Sequence, residues 1–188
     1  VVIVLKERGR GRAIGRAWIE SCADISVYMD VDLSTEMQAL PKLVDAIENN
    51  GYDIAIASRL QKGAKVIGRS FHRELISRAY SLIVRLMFLM DIRDYQCGFK
   101  AVSRRAVRDL VVLVRDTGWF FDSELIILAY HNRYRISEIP VTWADDSDSR
   151  VKIISTALSD VKGLLRLRFG GLRQASRSLD VRDGHESG

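Results

Sequence analysis

Asp30-Val31-Asp32 is the first place where residue types and spacing could do chemistry. Two carboxylates at i and i+2, directly beyond the apolar run Ile25–Met29, could bracket one divalent cation. Mg²⁺ and Mn²⁺ take oxygen ligands and accept phosphate oxygens beside them, so such a cation could neutralise a departing diphosphate. Asp-x-Asp is also an ordinary polar turn. The buried strand ahead of it favours the metal, because ligands of open α/β sheets bind beyond the carboxyl ends of strands. A second signal is the basic loop Ser58–Ser70, with Arg59, Lys62, Lys65 and Arg69, followed by Arg73 at a helix start. Arginine forks suit phosphate, and a helix start adds N–H donors; a solvated loop is the competing reading. Asp94-Tyr95-Gln96-Cys97-Gly98-Phe99-Lys100 gathers an acid, an amide, a glycine and a lysine, which a tight turn explains equally well. Asp116–Leu125 sets Trp119, Phe120 and Phe121 between acids, either as a sugar or lipid platform or as core. His72, His131 and His185 are scattered, with no nucleophile–base constellation and no P-loop or dinucleotide fingerprint.

The elements that must position these residues alternate. Apolar, β-branched runs at Val1–Leu5, Ile25–Met29 and Asp53–Ala57 read as buried strands, and Arg135–Thr142, with Pro140, as an edge strand. Helices are expected over Ala13–Ser21, Pro41–Asn49, His72–Met90, Ser103–Val114, Ser123–Asn132 and Val151–Phe169. Asp91–Ala101 reads as a loop and residues 170–188 as a disordered polar tail, leaving residues 1–169 as the domain. This alternation predicts a parallel α/β sheet covered by helices. Two helices are amphipathic. Leu75, Ile76, Ala79, Leu82, Ile83, Leu86, Met87 and Met90 share one face of the first. Ile154, Ala157, Leu158, Val161, Leu164 and Leu165 share one face of the last. Either face could lie in a bilayer interface or pack on the protein's own sheet.

Composition bounds the rest. A chain of 188 residues, 47% hydrophobic and 28% charged, builds one core. The net charge of +5 points to an anionic partner or a solvated basic face. Cys22 and Cys97 are too few for a disulfide scaffold and suit reduced thiols. No run approaches the ~20 apolar residues of a membrane span. The chain opens on Val1 inside an apolar run and reads as a fragment that starts partway through a fold.

Taken together and in order, these motifs resemble family-2 glycosyltransferases of the dolichyl-phosphate glucose and dolichyl-phosphate mannose synthase group. The matching segments are Arg10–Ala13, Tyr28–Thr35, Ala57–Leu60, Asp94–Ala101, Asp116–Leu125 and Glu138–Val141 with Trp143. The resemblance implies a GT-A (Rossmann-like) α/β fold with a mainly parallel sheet and helices on both faces, the first nucleotide-binding unit missing. It implies an inverting hexosyltransferase that uses Mg²⁺ or Mn²⁺ on Asp30 and Asp32, a UDP- or GDP-hexose donor and a polyprenyl phosphate acceptor. Asp32, Asp94 and Gln96 would carry catalysis, with Asp94 and Gln96 on the donor-sugar side. Arg59 and Arg73 would hold the acceptor phosphate, and Asp30, Lys100 and Trp119 would add substrate contacts; Asp122 and Glu124 would sit near the sugar or stabilise the neighbouring loop. The expected setting is peripheral, on the cytoplasmic face of a membrane. A family-2 transferase with another acceptor is one alternative. The other is a non-catalytic basic module; nucleic acid is disfavoured because the aromatics sit among acids rather than bases.

Overall fold

The computed structural model describes residues 2–144 and 153–186. Its main sheet has four strands in the order β1 (Ile25–Met29), β4 (Phe99–Ser103), β2 (Ile54–Ser58), β5 (Ile136–Pro140). β4 runs antiparallel to both neighbours, whereas β2 and β5 are parallel. Three of the four strands therefore share one direction, as the alternation predicts, and one reversed strand is wedged between them. That strand lies in the stretch expected to be a loop. Lys100, its second residue, disguises a strand whose first four residues are all buried. A smaller sheet pairs β3 (Lys65–Ile67) with β6 (Thr142–Ala144) in parallel.

The helices are α1 (Arg10–Glu20), α2 (Leu40–Glu48), α3 (Phe71–Phe88), α4 (Arg104–Leu110), α5 (Phe121–His131), α6 (Ile153–Arg166) and α7 (Leu172–Glu186). Pro41 sits in the first turn of α2, where its missing N–H costs nothing. The Ser103 hydroxyl caps α4 by accepting the Ala106 N–H at 3.2 Å. α5 is buried on every side from Phe121 to Ala129, so it is a core helix rather than an amphipathic one.

Two expectations are corrected. Val2–Leu5 forms no strand, and Val2 and Val4 are exposed; among the described residues no strand offers this run a ladder. The segment expected as a disordered tail is helical over Leu172–Glu186, because Ala175 and Leu179 find apolar neighbours and join the core. The break between α6 and α7 falls at Phe169-Gly170, with Gly170 at φ 141°. Val151 and Lys152, the expected start of the last helix, lie outside the described residues, as do residues 145–150 and 187–188.

The amphipathic helices do not put their apolar faces against the sheet. α3 buries Ser81, Val84 and Phe88 and exposes Leu75, Ile76, Leu82, Ile83 and Leu86 on the other side. α6 buries Leu164 but leaves Leu158, Val161 and Leu165 exposed. Its approach to the core is set by Gly163, where an added Cβ would fall 2.3 Å from the buried Phe120 ring. Gly163→Ala should therefore lower unfolding stability by about 1–3 kcal/mol through overpacking, read as a lower denaturation midpoint at unchanged m-value.

Candidate active site

β1 ends at Met29, and the chain turns at Asp30-Val31-Asp32. The Asp30 N–H donates to the Gly98 carbonyl at 2.7 Å, which ties the turn to the segment entering β4. Leu33 then adopts left-handed backbone at φ 54°, a conformation costly for a branched residue and found mostly where function needs it. Asp32 is exposed, and its Oδ1 accepts the Ser34 N–H at 3.1 Å. Next, Thr35 bridges to Trp143, and Glu36 exchanges hydrogen bonds with Thr142. The turn is thus fastened to β6, and β6 is paired with β3, inside the basic loop.

Behind the turn lies a buried charge network. Arg10, from the first turn of α1, donates from Nε and Nη2 to Asp30 Oδ1 at 3.1 and 2.8 Å. Its Nη1 donates to Asp122 Oδ2, and its guanidinium lies 5.0 Å from the Tyr28 ring centre and 5.1 Å from that of Trp119. Asp122 Oδ1 accepts from the Tyr28 hydroxyl and pairs with Lys100 Nζ at 2.9 Å. Lys100 is fully buried and also donates to the Cys97 carbonyl. Burial alone would raise the Asp122 carboxyl; Lys100, Arg10 and the Tyr28 hydroxyl outweigh it and hold the group below the usual carboxylate range. Gly98 is required here, since a Cβ would fall 1.7 Å from Asp30 Oδ2.

The basic loop is held by a second buried acid. Asp94 is 2% exposed and accepts from Arg59 three times: the backbone N–H at 2.9 Å, Nε at 2.8 Å and Nη2 at 2.8 Å. It also accepts the N–H groups of Gln96 and Cys97. Burial would raise this carboxyl, but Arg59 overrides it and brings it down to about 2. Glu138 of β5 supports the loop from beneath, accepting the Ser58 hydroxyl and the N–H groups of Arg93 and Asp94 at 2.8–2.9 Å. Arg59 and Arg69 both face the Trp143 ring, at 5.6 and 5.3 Å from its centre. Because Thr35 bridges to Trp143, the arginine loop and the segment following the aspartate turn meet on this residue. Burial pushes the Cys97 thiol up to about 11, which makes it an inert core group.

Against the expected set, the structure separates surface from support. Asp32, Arg73, Gln96 and Trp119 are at least partly accessible, with Trp119 46% exposed while Phe120 and Phe121 are core. Asp94, Lys100, Asp122 and Glu124 are buried. Lys100 and Asp122 consume each other's charge, and Glu124 accepts the Asp116 N–H at 2.8 Å and pairs with Arg166 at 2.6 Å. In this structure all four make buried ion pairs, which brace the segments around the aspartate turn. Asp30 pairs with Arg10 through Oδ1, while its side chain stays 39% exposed. Among the described residues no three His, Cys, Asp or Glu side chains converge as a metal cage. That donor set fits a hard cation bound through one or two carboxylates and a ligand's phosphate oxygens, with Asp32 as the accessible carboxylate.

Arg10, Trp143, Glu138 and Asp160 escape the sequence-derived set. Each carries a signal: an arginine between Gly9 and Gly11, a tryptophan just past a strand, an acid inside a strand and an acid on an apolar helix face. Lys100→Met should cost about 3–5 kcal/mol of stability, because it strips a cation from a buried carboxylate. It should also move acid unfolding to higher pH. The depressed Asp122 group stabilises the fold above its unfolded pKa and loses that contribution as pH falls through the folded one. Denaturation midpoints between pH 3 and 7 read both effects.

Comparison with known proteins agrees with this geometry. The model described as "Glycosyl transferase family 2" matches residues 1–111. Glycosyltransferase AglD of Haloferax volcanii is 39% identical over 158 residues, 84% of this chain and 25% of that protein. The dolichol-phosphate mannosyltransferase of Pyrococcus furiosus is 35% identical over 140 residues, 73% of this chain and 38% of that protein. The dolichyl-phosphate beta-glucosyltransferase of Homo sapiens is 30% identical over 188 residues, 97% of this chain and 58% of that protein. The chain thus spans a quarter to rather more than half of these relatives. The crystal structure of Mycobacterium tuberculosis glucosyl-3-phosphoglycerate synthase in complex with Mn²⁺, UDP-glucose and phosphoglyceric acid superposes with a TM-score of 0.65 at 18% identity. It covers 89% of this chain and 57% of that one, and at such identity it speaks for the fold alone. With the family match extending over more than half of its residues, this chain belongs to glycosyl transferase family 2.

Proposed function

We propose that this chain forms the metal- and acceptor-binding part of a transferase that moves a hexose from a UDP- or GDP-hexose to a polyprenyl phosphate, with inversion at the anomeric carbon. The observation that carries the reading is the meeting on Trp143 of the arginine loop and of Thr35, three residues beyond Asp32. The names of the relatives add dolichyl phosphate as the acceptor class, and the structural neighbour adds UDP-glucose with Mn²⁺ as the donor class.

The chemistry needs little from the protein beyond placement. A phosphate monoester is largely ionised near neutral pH, its second pKa lying near ~6 as for phosphorylated side chains, so no general base is required. One of its oxygens attacks the anomeric carbon, and the bond from that carbon to the diphosphate oxygen breaks, its electron pair leaving with the nucleotide. Asp32 would hold the divalent cation, which when bound supplies positive charge opposite the leaving diphosphate. Arg59 keeps its Nη1 hydrogens for the acceptor phosphate while Asp94 fixes the rest of the fork. Arg73, in the first turn of α3 and partly accessible, would be the second acceptor contact.

The acceptor's tail calls for a membrane surface. No described helix is long and apolar enough to cross a bilayer. The exposed apolar side of α3 supplies an interfacial face instead, with Leu82 and Leu86 more than half exposed and Arg78 beside them. Lipid immersion of each CH₂ is worth ~0.8 kcal/mol, so two or three such side chains rival several basic residues at about 1 kcal/mol each.

Incubation with nucleotide hexoses, a prenyl phosphate and Mn²⁺ should give a hexosyl prenyl phosphate, and EDTA should abolish it. Asp32→Ala should lower turnover at least a hundredfold, in line with the loss of a group that stabilises leaving-group charge (roughly 10²–10³). Arg59→Lys keeps the charge but loses the fork, so KM for prenyl phosphate should rise roughly tenfold or more. Wild-type kinetics in that variant would remove Arg59 from the acceptor site. In flotation with anionic vesicles, Leu82→Asp with Leu86→Asp should release the protein; binding that responds to salt alone would assign attachment to the basic rim.

A further inference from the structure

Gln96 lies partly exposed in the segment ahead of β4, and its main chain is fixed by Asp94, which accepts its N–H at 3.2 Å. Its side chain is fixed by a different element. Gln96 Nε2 donates to Asp160 Oδ2 at 2.6 Å, and Asp160 lies on α6, 64 residues further along the chain. Asp160 is 3% exposed. It sits on the inward face of α6, with Gly163, Leu164 and Leu167 continuing that face into the core.

Two features set this contact apart from ordinary packing. An ionised carboxylate only accepts hydrogen bonds, so it dictates which end of the Gln96 carboxamide faces it. The NH₂ must turn toward Asp160 and the carbonyl oxygen away. Asp160 Oδ1, moreover, is buried and has no hydrogen-bond partner among the described residues. A half-satisfied buried acid costs stability, about 1–3 kcal/mol for an unpaired polar atom, which an apolar residue at this position would avoid. Burial pushes the Asp160 carboxyl up to about 6, with the Gln96 hydrogen bond opposing, so it remains predominantly an acceptor at neutral pH.

We propose that Asp160 is a positioning residue for Gln96, holding its carboxamide so that the oxygen is presented to the hydroxyl groups of the donor sugar. A sugar hydroxyl that donates needs an acceptor oxygen, and a flipped amide would meet it with N–H. The assignment of the sugar as the ligand rests on the transferase reading; the assignment of the amide's orientation to Asp160 does not.

The test separates the two. In ¹⁵N-labelled protein, the Gln96 carboxamide signals, identified by their loss in Gln96→Leu, should shift in Asp160→Asn, because asparagine can donate as well as accept and no longer dictates the orientation. Unmoved signals would overturn the proposal whatever the activity. In transfer assays, Asp160→Asn should lower kcat roughly tenfold or more, as expected for a misplaced group at a reacting centre, with the prenyl phosphate KM unchanged. The same substitution in a Gln96→Ala background should have less than a twofold further effect. An undiminished loss in that background would mean that Asp160 acts on the fold and not through Gln96. Asp160→Ser, which withdraws the carboxylate, serves both arms if asparagine disturbs the fold. Should the wild-type protein transfer no hexose at all, the transferase reading fails and the amide signals still decide the role of Asp160.

Discussion

Asp122 carries a full negative charge at 1% exposure, and a carboxylate taken that far from water must be surrounded by cations and donors. The elements supplying them cover most of the site. Lys100 comes from the reversed strand β4, Tyr28 from β1, Arg10 from the start of α1, and Asp122 itself from the first turn of α5. None of the four can move without leaving a buried charge exposed to apolar surroundings. The network is balanced: Arg10 and Lys100 face Asp122 and Asp30. Asp30 is therefore held in place by a charge it cannot leave, and the turn that follows it projects Asp32 to the surface. The rigidity of the candidate metal ligand is inherited from charges that never touch a ligand.

The same logic explains how four residues of the expected site come to be buried. Acids and lysines in a motif attract a functional reading because charged residues are rarely buried. Here Asp94, Lys100, Asp122 and Glu124 are buried because each has a partner of opposite sign far away in sequence: Arg59, Asp122, Arg10 and Arg166. Pairings separated by 22 to 112 residues leave no periodicity to read. By contrast, what rests on local pattern was legible. The apolar runs gave β1 and β2, Ser103 marked the start of α4, and Pro41 with Asn50-Gly51 bracketed α2. Val2–Leu5 and β4 failed for opposite reasons. The first has strand composition and no ladder among the described residues, and the second has a ladder and a lysine as its second residue. Strand identity is settled by neighbours, which a local run of residues does not name.

The amphipathic helices show a further limit. Periodicity located their apolar faces, but a face has no direction until something packs on it. α3 buries a narrow stripe through Ser81, Val84 and Phe88 and turns its wider apolar side outward. The Ser81 hydroxyl donates to the Arg93 carbonyl, and the Tyr80 hydroxyl bonds to that of Ser123. Val84 and Phe88 anchor this helix in the core, the Ser81 and Tyr80 contacts fix its rotation, and its leucines stay exposed. An outward apolar side of this kind is suited to a surface that is itself apolar.

α6 joins these two levels of organisation. One side carries Leu158, Val161 and Leu165 outward; the other carries Asp160 inward to Gln96 and closes on Phe120 through Gly163. Its last turn adds Arg166, which pairs with Glu124, and Glu124 in turn accepts the N–H of Asp116 ahead of Trp119. α6 therefore touches both the Gln96 segment and the Trp119 loop, the walls on either side of the aspartate turn. Both links run through buried carboxylates, so α6 and these two segments brace one another.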